Sequence, residues 1–280
     1  MTAPPFVLTG FADEVDDDLE TQLDVLESLG IDSLDLRSVW GTNVLELDPD
    51  EMATIERALD ERGISVSAIG SPIGKVDITD PFEPHLDRFE TALDRAARFD
   101  ADYVRLFSYW IPDDEDPSVY RTEVMRRMGR KADLAEDAGI TLLHENEKDI
   151  YGDTPARVRD IITTVDSPHL RTIFDPANYL EIGVEPYPDA LLQTAEFVEF
   201  LHAKDAVKGE RGEIRPAGEG DGRIPETLAA LAARGFSGFA SLEPHLAAAD
   251  GEDGLSGPEA FETAADALRD CFAEAGVEHR

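Results

Sequence analysis

Gly139-Ile-Thr-Leu-Leu-His-Glu-Asn-Glu147 is an apolar run that passes straight into acidic and amide side chains. A short continuous apolar run of this kind reads as a strand buried on both faces, as in a parallel sheet. Three later runs end in the same way: Arg171-Thr-Ile-Phe-Asp-Pro-Ala-Asn178, Phe200-Leu-His-Ala-Lys-Asp205 and Phe239-Ala-Ser-Leu-Glu-Pro-His245. Each delivers a carboxylate or an imidazole where apolar character stops. Glu145, Asp175, His202 and Glu243 therefore form one candidate set.

Outward from this stretch the chain repeats a strand–helix unit. Phe6–Phe11 reads as a first strand, followed by a helical pattern over 16–29 with Gly30 as its cap. Ser33-Leu-Asp-Leu-Arg37 alternates, with Asp35 and Arg37 on the face opposite Leu34 and Leu36. That pattern suits either a half-exposed edge strand or a barrel interior that turns polar near its mouth. Asp48 and Pro49 open the next helix, which ends at Gly63. Strands at 64–69 and 103–107 flank a helix over 83–99, and a helix over 119–138 precedes the run at Ile140. Thr154-Pro opens a further helix. Strands near 170–174, 198–202 and 237–242 follow, with helices expected over 186–196, 225–234 and 257–275. The loop Lys208–Gly222 suits a lid or a plain surface excursion equally. Its Gly218-Glu-Gly-Asp-Gly222 segment lacks a preceding strand and is read as a loop, not as a phosphate cradle. Eight such units with short connections predict an α/β fold, a single (β/α)8 TIM barrel spanning 1–280 as one domain.

The 280 residues carry 61 acidic against 25 basic side chains, a net charge of −36. Such a field repels phosphate backbones and anionic lipid, so neither nucleic acid nor membrane is expected as a partner. The acids are spread over nearly every helix, which reads as a halophile-type, salt-adapted surface. Cys271 is the only cysteine, so no internal disulfide framework is expected. The Met1-Thr-Ala-Pro-Pro5 start lacks a basic region followed by an apolar one, and no run is long enough to span a membrane. A cytoplasmic location is the expectation. Of five lysines, Lys75, Lys148 and Lys204 fall just beyond predicted strands.

In a barrel the C-terminal strand ends converge on one mouth. Two glutamates, one aspartate and one histidine give an oxygen-and-nitrogen donor set without thiolate, suited to Mn²⁺ or Mg²⁺, with Co²⁺, Fe²⁺ and Zn²⁺ admitted by the imidazole. Taken singly, each has a blander reading: strand-end charges for Glu145 and Glu243, a core histidine for His202, turn chemistry for Asp175 before Pro176. Strand parity puts Glu147 on the side of Glu145, Lys204 on that of His202 and His245 on that of Glu243, while His144 faces the helices. Arg37, Arg105, Lys75 and Asn178 are further candidates for substrate contact. Trp40 and Trp110 lie in mouth-side loops, where buried packing is expected over stacking on a ring.

With Phe174-Asp-Pro-Ala-Asn178, His202-Ala-Lys-Asp205 and Leu242-Glu-Pro244 in this order, the chain resembles the xylose isomerase-like sugar phosphate isomerases and epimerases. The resemblance covers essentially the whole barrel. It implies one divalent ion, Mn²⁺ first and Mg²⁺, Co²⁺ or Zn²⁺ as alternatives, held by Glu145, Asp175, His202 and Glu243. It also implies a sugar, sugar phosphate or related keto-polyol as substrate, with Glu145 and Glu243 doubling as acid and base. An inosose-type dehydratase on the same metal, and a barrel that binds a sugar or metabolite without turnover, are the alternatives. An AP endonuclease-like phosphodiesterase is disfavoured by the charge and by only six histidines. Barrels of this kind often associate, so a homo-oligomer is admitted, although no stretch identifies an interface.

Overall fold

Eight short strands carry the architecture: β1 (Phe6–Gly10), β2 (Ser33–Leu36), β3 (Ser65–Ile69), β4 (Tyr103–Leu106), β5 (Thr141–Glu145), β6 (Leu170–Phe174), β7 (Val198–Ala203) and β8 (Gly238–Leu242). The computed structural model describes residues 6–209, 213–247 and 255–280. The Met1–Pro5 segment read above for a targeting signal, and residues 210–212 of the Lys208–Gly222 loop, lie outside them. All ladders between these strands are parallel, in the order β1-β8-β7-β6-β5-β4-β3-β2. The order brings β1 and β2 together at a seam, where Ser33 Oγ donates to the Leu8 carbonyl at 2.9 Å. The chain's last residue lies on the same edge of β1. Leu8 N–H donates to the Arg280 carbonyl at 2.8 Å, and Arg280 N–H donates to that of Phe6 at 3.1 Å. The result is a nearly closed (β/α)8 barrel.

The connecting helices are α1 (Leu19–Ser28), α2 (Pro49–Arg62), α3 (Phe82–Arg98), α4 (Arg121–Ala138), α5 (Pro155–Val165), α6 (Pro176–Glu181), α7 (Leu191–Thr194), α8 (Ile224–Ala233) and α9 (Gly257–Ala275). Their boundaries follow local chemistry. Asp48 accepts the Asp50 and Glu51 N–H groups while the Glu51 side chain accepts that of Asp48, a reciprocal cap that starts α2. Ser256 and Glu259 do the same for α9. One stretch departs from expectation. The helix predicted over 186–196 is reduced to a wide turn at Pro186–Ala190 and the four residues of α7. Pro186 and Pro188 cannot donate to a helix, which explains the interruption. The chain instead turns helical earlier, in α6 directly after Asp175.

Most apolar burial lies between the strands and the surrounding helices, in one continuous core. Inside the barrel the filling is thinner. Ala68, Leu143, Ile173 and Phe200 form a small apolar cluster, with Tyr103 and Phe239 against it. Beside it runs a buried polar chain: Thr9 Oγ1 and Ser67 Oγ are 2.6 Å apart, Ser67 donates to Asp35 at 2.6 Å, and Ser241 donates to the other Asp35 oxygen. β2 is therefore buried on both faces rather than half-exposed, with Asp35 pointing inward. Burial pushes the Asp35 carboxyl above its usual range, opposed by His202 and the two serines. Among the described residues, no helix is long and apolar enough to cross a membrane.

Candidate active site

Glu145 is the last residue of β5, Asp175 follows β6, His202 lies near the end of β7 and Glu243 follows β8. Successive side chains on a strand alternate sides, so each of these four points into the barrel mouth. Their ligating atoms all lie within 4.8 Å of one another. His202 Nδ1 sits at the centre, 3.2 Å from Glu145 Oε1, 3.5 Å from Glu243 Oε2 and 3.8 Å from Asp175 Oδ2. All four residues are buried, none more than 4% exposed.

The backbone around Asp175 explains why its two oxygens do different work. Asp175 caps α6, and its Oδ1 accepts the Asn178 N–H at 2.9 Å, with Pro176 in the first turn. Asn146 locks the entry from the other side, donating to the Asp175 carbonyl at 2.9 Å and accepting its N–H at 3.0 Å. Asn178 Nδ2 then reaches Glu145 Oε1 at 3.1 Å. Asp175 Oδ2 stays outside that hydrogen-bond network and is buried, facing the Lys204 ammonium at 3.0 Å and His202 at 3.8 Å. A buried carboxylate oxygen costs free energy unless a cation answers it. Three carboxylates and one imidazole, without thiolate, are the donors a hard or borderline divalent ion takes. These residues fit such an ion.

Cations already stand around the cage. Lys204 Nζ lies 3.0 Å from Asp175 Oδ2 and 2.8 Å from Glu243 Oε2. Arg105 Nη1 lies 3.1 Å from Glu145 Oε2 and 3.9 Å from Glu243 Oε1. Arg37 reaches Glu243 Oε1 at 3.4 Å, while Asp13 and Glu14 hold its other nitrogens at 2.7 and 3.3 Å. Burial alone would raise the Glu145 carboxyl, yet His202 and Arg105 outweigh it and hold it down at about 2. Burial likewise opposes ionisation of Glu243, and Lys204, His202 and His245 keep it well below the usual carboxylate range. Burial would lower His202 and Lys204, but the facing carboxylates hold both well above their ordinary values. Every carboxylate of the cage has a cation partner, and the cage in turn favours the charged forms of His202 and Lys204.

Above the cage opens a cavity of about 510 Å³ lined in part by Arg37, Lys75, Arg105, Glu147, Asn178 and His245. Asp175 and His202 lie one layer deeper, so all eleven candidate residues gather at this end of the barrel. Lys75 pairs with Glu147 at 3.2 Å, its ammonium 4.3 Å from the centre of the Phe107 ring. The turn that presents it depends on Gly74: at φ 94°, an added Cβ would sit 2.0 Å from the Phe107 carbonyl oxygen. His245, half-exposed, contacts Glu243 at 3.3 Å and Glu14 at 3.4 Å. His144 faces away, buried against Gly152. Burial, and then Lys131, push its imidazole down to about 3.

One expectation is corrected here. Trp40 and Trp110 are 38% and 44% exposed rather than buried, and neither lines the cavity. Trp40 occupies the left-handed tip of a short hairpin, and Trp110 bridges the loops at Asp77 and Ile150 through its backbone. In the Lys208–Gly222 loop, read above as a lid or a surface excursion equally, the residues from 213 onward are anchored to the chain just past the end of β7. Asp205–Ala206 pairs with Ile214–Arg215, and Ile214 borders the cavity. The N–H groups of Gly222, Ala206, Gly218 and Gly220 converge on the Asp205 carboxylate at 2.7, 2.8, 3.0 and 3.1 Å. The glycine-rich segment does cradle an anion, but the anion is the protein's own.

Sequence reasoning did not single out Asp13 and Glu14, which steady Arg37 and His245, nor Asn146; it noted Lys148 and Asp205 by position but not the pairing of Lys148 with Glu181 at 2.6 Å or the glycine N–H groups around Asp205. The Asp-Pro-Ala-Asn order was a readable helix-start signal; the others meet their partners only across the fold.

The model for the family described as xylose isomerase-like TIM barrel matches residues 23–274. No curated protein matches the chain. Among solved structures, a xylose isomerase domain protein from Alicyclobacillus acidocaldarius is 22% identical, with 97% of this chain and 99% of that one covered at a TM-score of 0.74. A xylose isomerase-like TIM barrel protein from Mycobacterium smegmatis in complex with magnesium is 18% identical, covering 97% and 99% at 0.71. The 3-keto-D-glucoside 4-epimerase of E. coli is 16% identical, covering 96% and 99% at 0.71.

Proposed function

The chain belongs to the xylose isomerase-like TIM barrel family, and from that premise we propose that it is a divalent-metal-dependent isomerase or epimerase of a sugar, sugar phosphate or related keto-polyol. The observation that carries the reading is the meeting of Glu145, Asp175, His202 and Glu243, from four successive strand ends, within 4.8 Å beneath an open cavity. A divalent ion held there, Mn²⁺ first, would supply Lewis-acid stabilisation for the charge that develops when a proton leaves the carbon beside a carbonyl.

Glu145 and Glu243 are the acid–base pair of this reading. They arrive from β5 and β8, with β6 and β7 between them, so a substrate seated across the mouth meets one carboxylate on each side. One takes the proton and the other returns it. Arg105 stands between the two and offers donors to the oxygen on which charge collects. His245 links Glu243 to solvent, a path by which a proton leaves. The Lys75–Glu147 and Lys148–Glu181 pairs each set a donor beside an acceptor at the rim, the complement of neighbouring hydroxyls. The E. coli 3-keto-D-glucoside 4-epimerase among the structural neighbours supports epimerisation as the reaction class.

The test is deuterium exchange. Mn²⁺-loaded protein in D₂O is incubated with a panel of ketoses, and NMR follows the proton on the carbon beside the carbonyl. Exchange by the parent is expected, and Glu243→Gln should slow it by about 100-fold or more while substrate still binds. Exchange at the parent rate in Glu243→Gln would remove Glu243 from the role. The same spectra separate epimerisation from dehydration, in which a hydroxyl is lost and no proton is returned.

A further inference from the structure

The cage oxygens are not equally committed. Asp175 Oδ1 is occupied by the cap of α6, and Glu243 Oε1 faces Arg37, Arg105 and His245. The two oxygens left over, Asp175 Oδ2 and Glu243 Oε2, are the ones that turn toward His202 Nδ1. Both are already bridged by one ammonium. Lys204 Nζ stands 3.0 Å from the first and 2.8 Å from the second, and only 7% of its side chain is exposed.

Strand parity puts it there. Lys204 lies two residues past His202 and points to the same side of β7. The two guanidinium groups leave these oxygens to the lysine: Arg105 meets Glu145 at 3.1 Å and the Gly70 carbonyl at 3.2 Å, and Arg37 meets Asp13 at 2.7 Å and the other Glu243 oxygen at 3.4 Å. The lysine thus does for Asp175 and Glu243 what a metal ion would do. It neutralises two buried carboxylates that otherwise repel each other.

We propose that Lys204 is a tethered competitor for the divalent ion, bridging Asp175 Oδ2 and Glu243 Oε2 while the cage holds no metal and yielding them when one enters. The inference rests on the metal reading above and deepens it. An ammonium and a divalent ion that share two oxygens repel strongly in a buried site. Metal entry therefore releases Lys204 toward the cavity it already lines, where its three N–H donors suit a substrate oxygen. Removing the ammonium acts twice in one direction. It deletes the competitor, and it leaves two facing carboxylates uncompensated until metal arrives. A lysine that merely shaped the cage would act the other way, since its loss would weaken metal binding.

The experiment titrates Mn²⁺ alone into the full chain and into its Lys204→Met and Lys204→Arg variants at one salt concentration, by calorimetry. Thermal melting is recorded for each without metal and with saturating Mn²⁺. Lys204→Met should bind Mn²⁺ at least ~10-fold tighter than the parent, melt lower without metal, and regain the difference when loaded. Lys204→Arg, which keeps the charge, should stay near the parent affinity. If Lys204→Met fails to fold without metal, Lys204→Gln, which keeps an uncharged N–H donor group, carries the same comparison. Unchanged or weaker Mn²⁺ binding in the neutral variants, with the parent binding normally, overturns the tether and leaves the metal reading intact. Binding by the neutral variant alone supports it. Failure of parent and variants alike to bind Mn²⁺ overturns both.

Discussion

Lys131, in the middle of α4, is fully buried, and its ammonium nitrogen has no hydrogen-bond partner among the described residues. It lies 4.6 Å from the centre of the Tyr109 ring, which Arg127 also faces at 5.2 Å. Burial, and then Arg127, push the Lys131 ammonium down to about 7 from 10.5. A lowered lysine means that the unfolded chain binds the proton more tightly than the folded one. Between these two values stability therefore rises with pH, and below them the folded state carries the full cost. At ~1.36 kcal/mol per tenfold the window amounts to about 5 kcal/mol. Methionine has a similar length and no charge to desolvate. Setting ~1–2 kcal/mol for the lost ring contact and imperfect repacking against that cost, Lys131→Met should stabilise the protein by about 2–4 kcal/mol at pH 7. Urea unfolding at fixed high salt, at pH 7 and pH 9, measures it. The parent should gain about 2.5 kcal/mol on the variant between the two pH values. A variant less stable than the parent at pH 7, or a gap indifferent to pH, would refute the account of Lys131 as a buried, uncompensated ammonium.

Two further perturbations bear on the mouth. Asp175→Asn keeps an acceptor at Oδ1 for the α6 cap but removes the free charged oxygen, so the fold should persist. Divalent affinity should fall by more than the ~10–100-fold that outer partners of a metal typically command; full metal occupancy in the variant, read by elemental analysis, would sink the proposed ligand set. Asp205→Ala deprives four backbone N–H groups of their acceptor, three of them in the 213–222 loop. The expected cost is about 2–4 kcal/mol, since part of the loop can turn to water. Hydrogen exchange should show it first at Gly218, Gly220 and Gly222, and unchanged protection there would contradict the anchoring role.

What the sequence disclosed was periodicity, and what it concealed was pairing. Four apolar runs each ending in a carboxylate or imidazole, read as strands of one barrel, placed Glu145, Asp175, His202 and Glu243 at one mouth, and alternation told which neighbours share their side. A strand end does not show which oxygen of Asp175 caps a helix and which stays free, because that depends on Asn146 and Lys204 from other strands. Val124, Met128, Lys131 and Ala135 recur at helical spacing and are all buried, so the burial of Lys131 was readable from that spacing. Its unpartnered nitrogen was not, since Tyr109 arrives from the loop after β4. Asp205 and its three glycines lie 13 to 17 residues apart, and Glu14 meets His245 across 231 residues; no local pattern encodes either contact.

The lysines join the two halves of the problem. Lys75, Lys148 and Lys204 line the cavity, Lys131 is buried against Tyr109, and Lys208 pairs with Glu185 outside. A chain with 61 acidic side chains and five lysines thus places three of those ammonium groups at its mouth. Each one at the cavity stands against a carboxylate, Glu147, Glu181 or Glu243. Surface charge of one sign sets a long-range field that salt screens within about 10 Å or less. Inside the cavity the short pairs decide instead, so the mouth is close to neutral while the exterior is strongly negative. A polyhydroxylated substrate that makes short hydrogen bonds to paired donors and acceptors is the kind such a mouth accepts, in high salt as readily as in low.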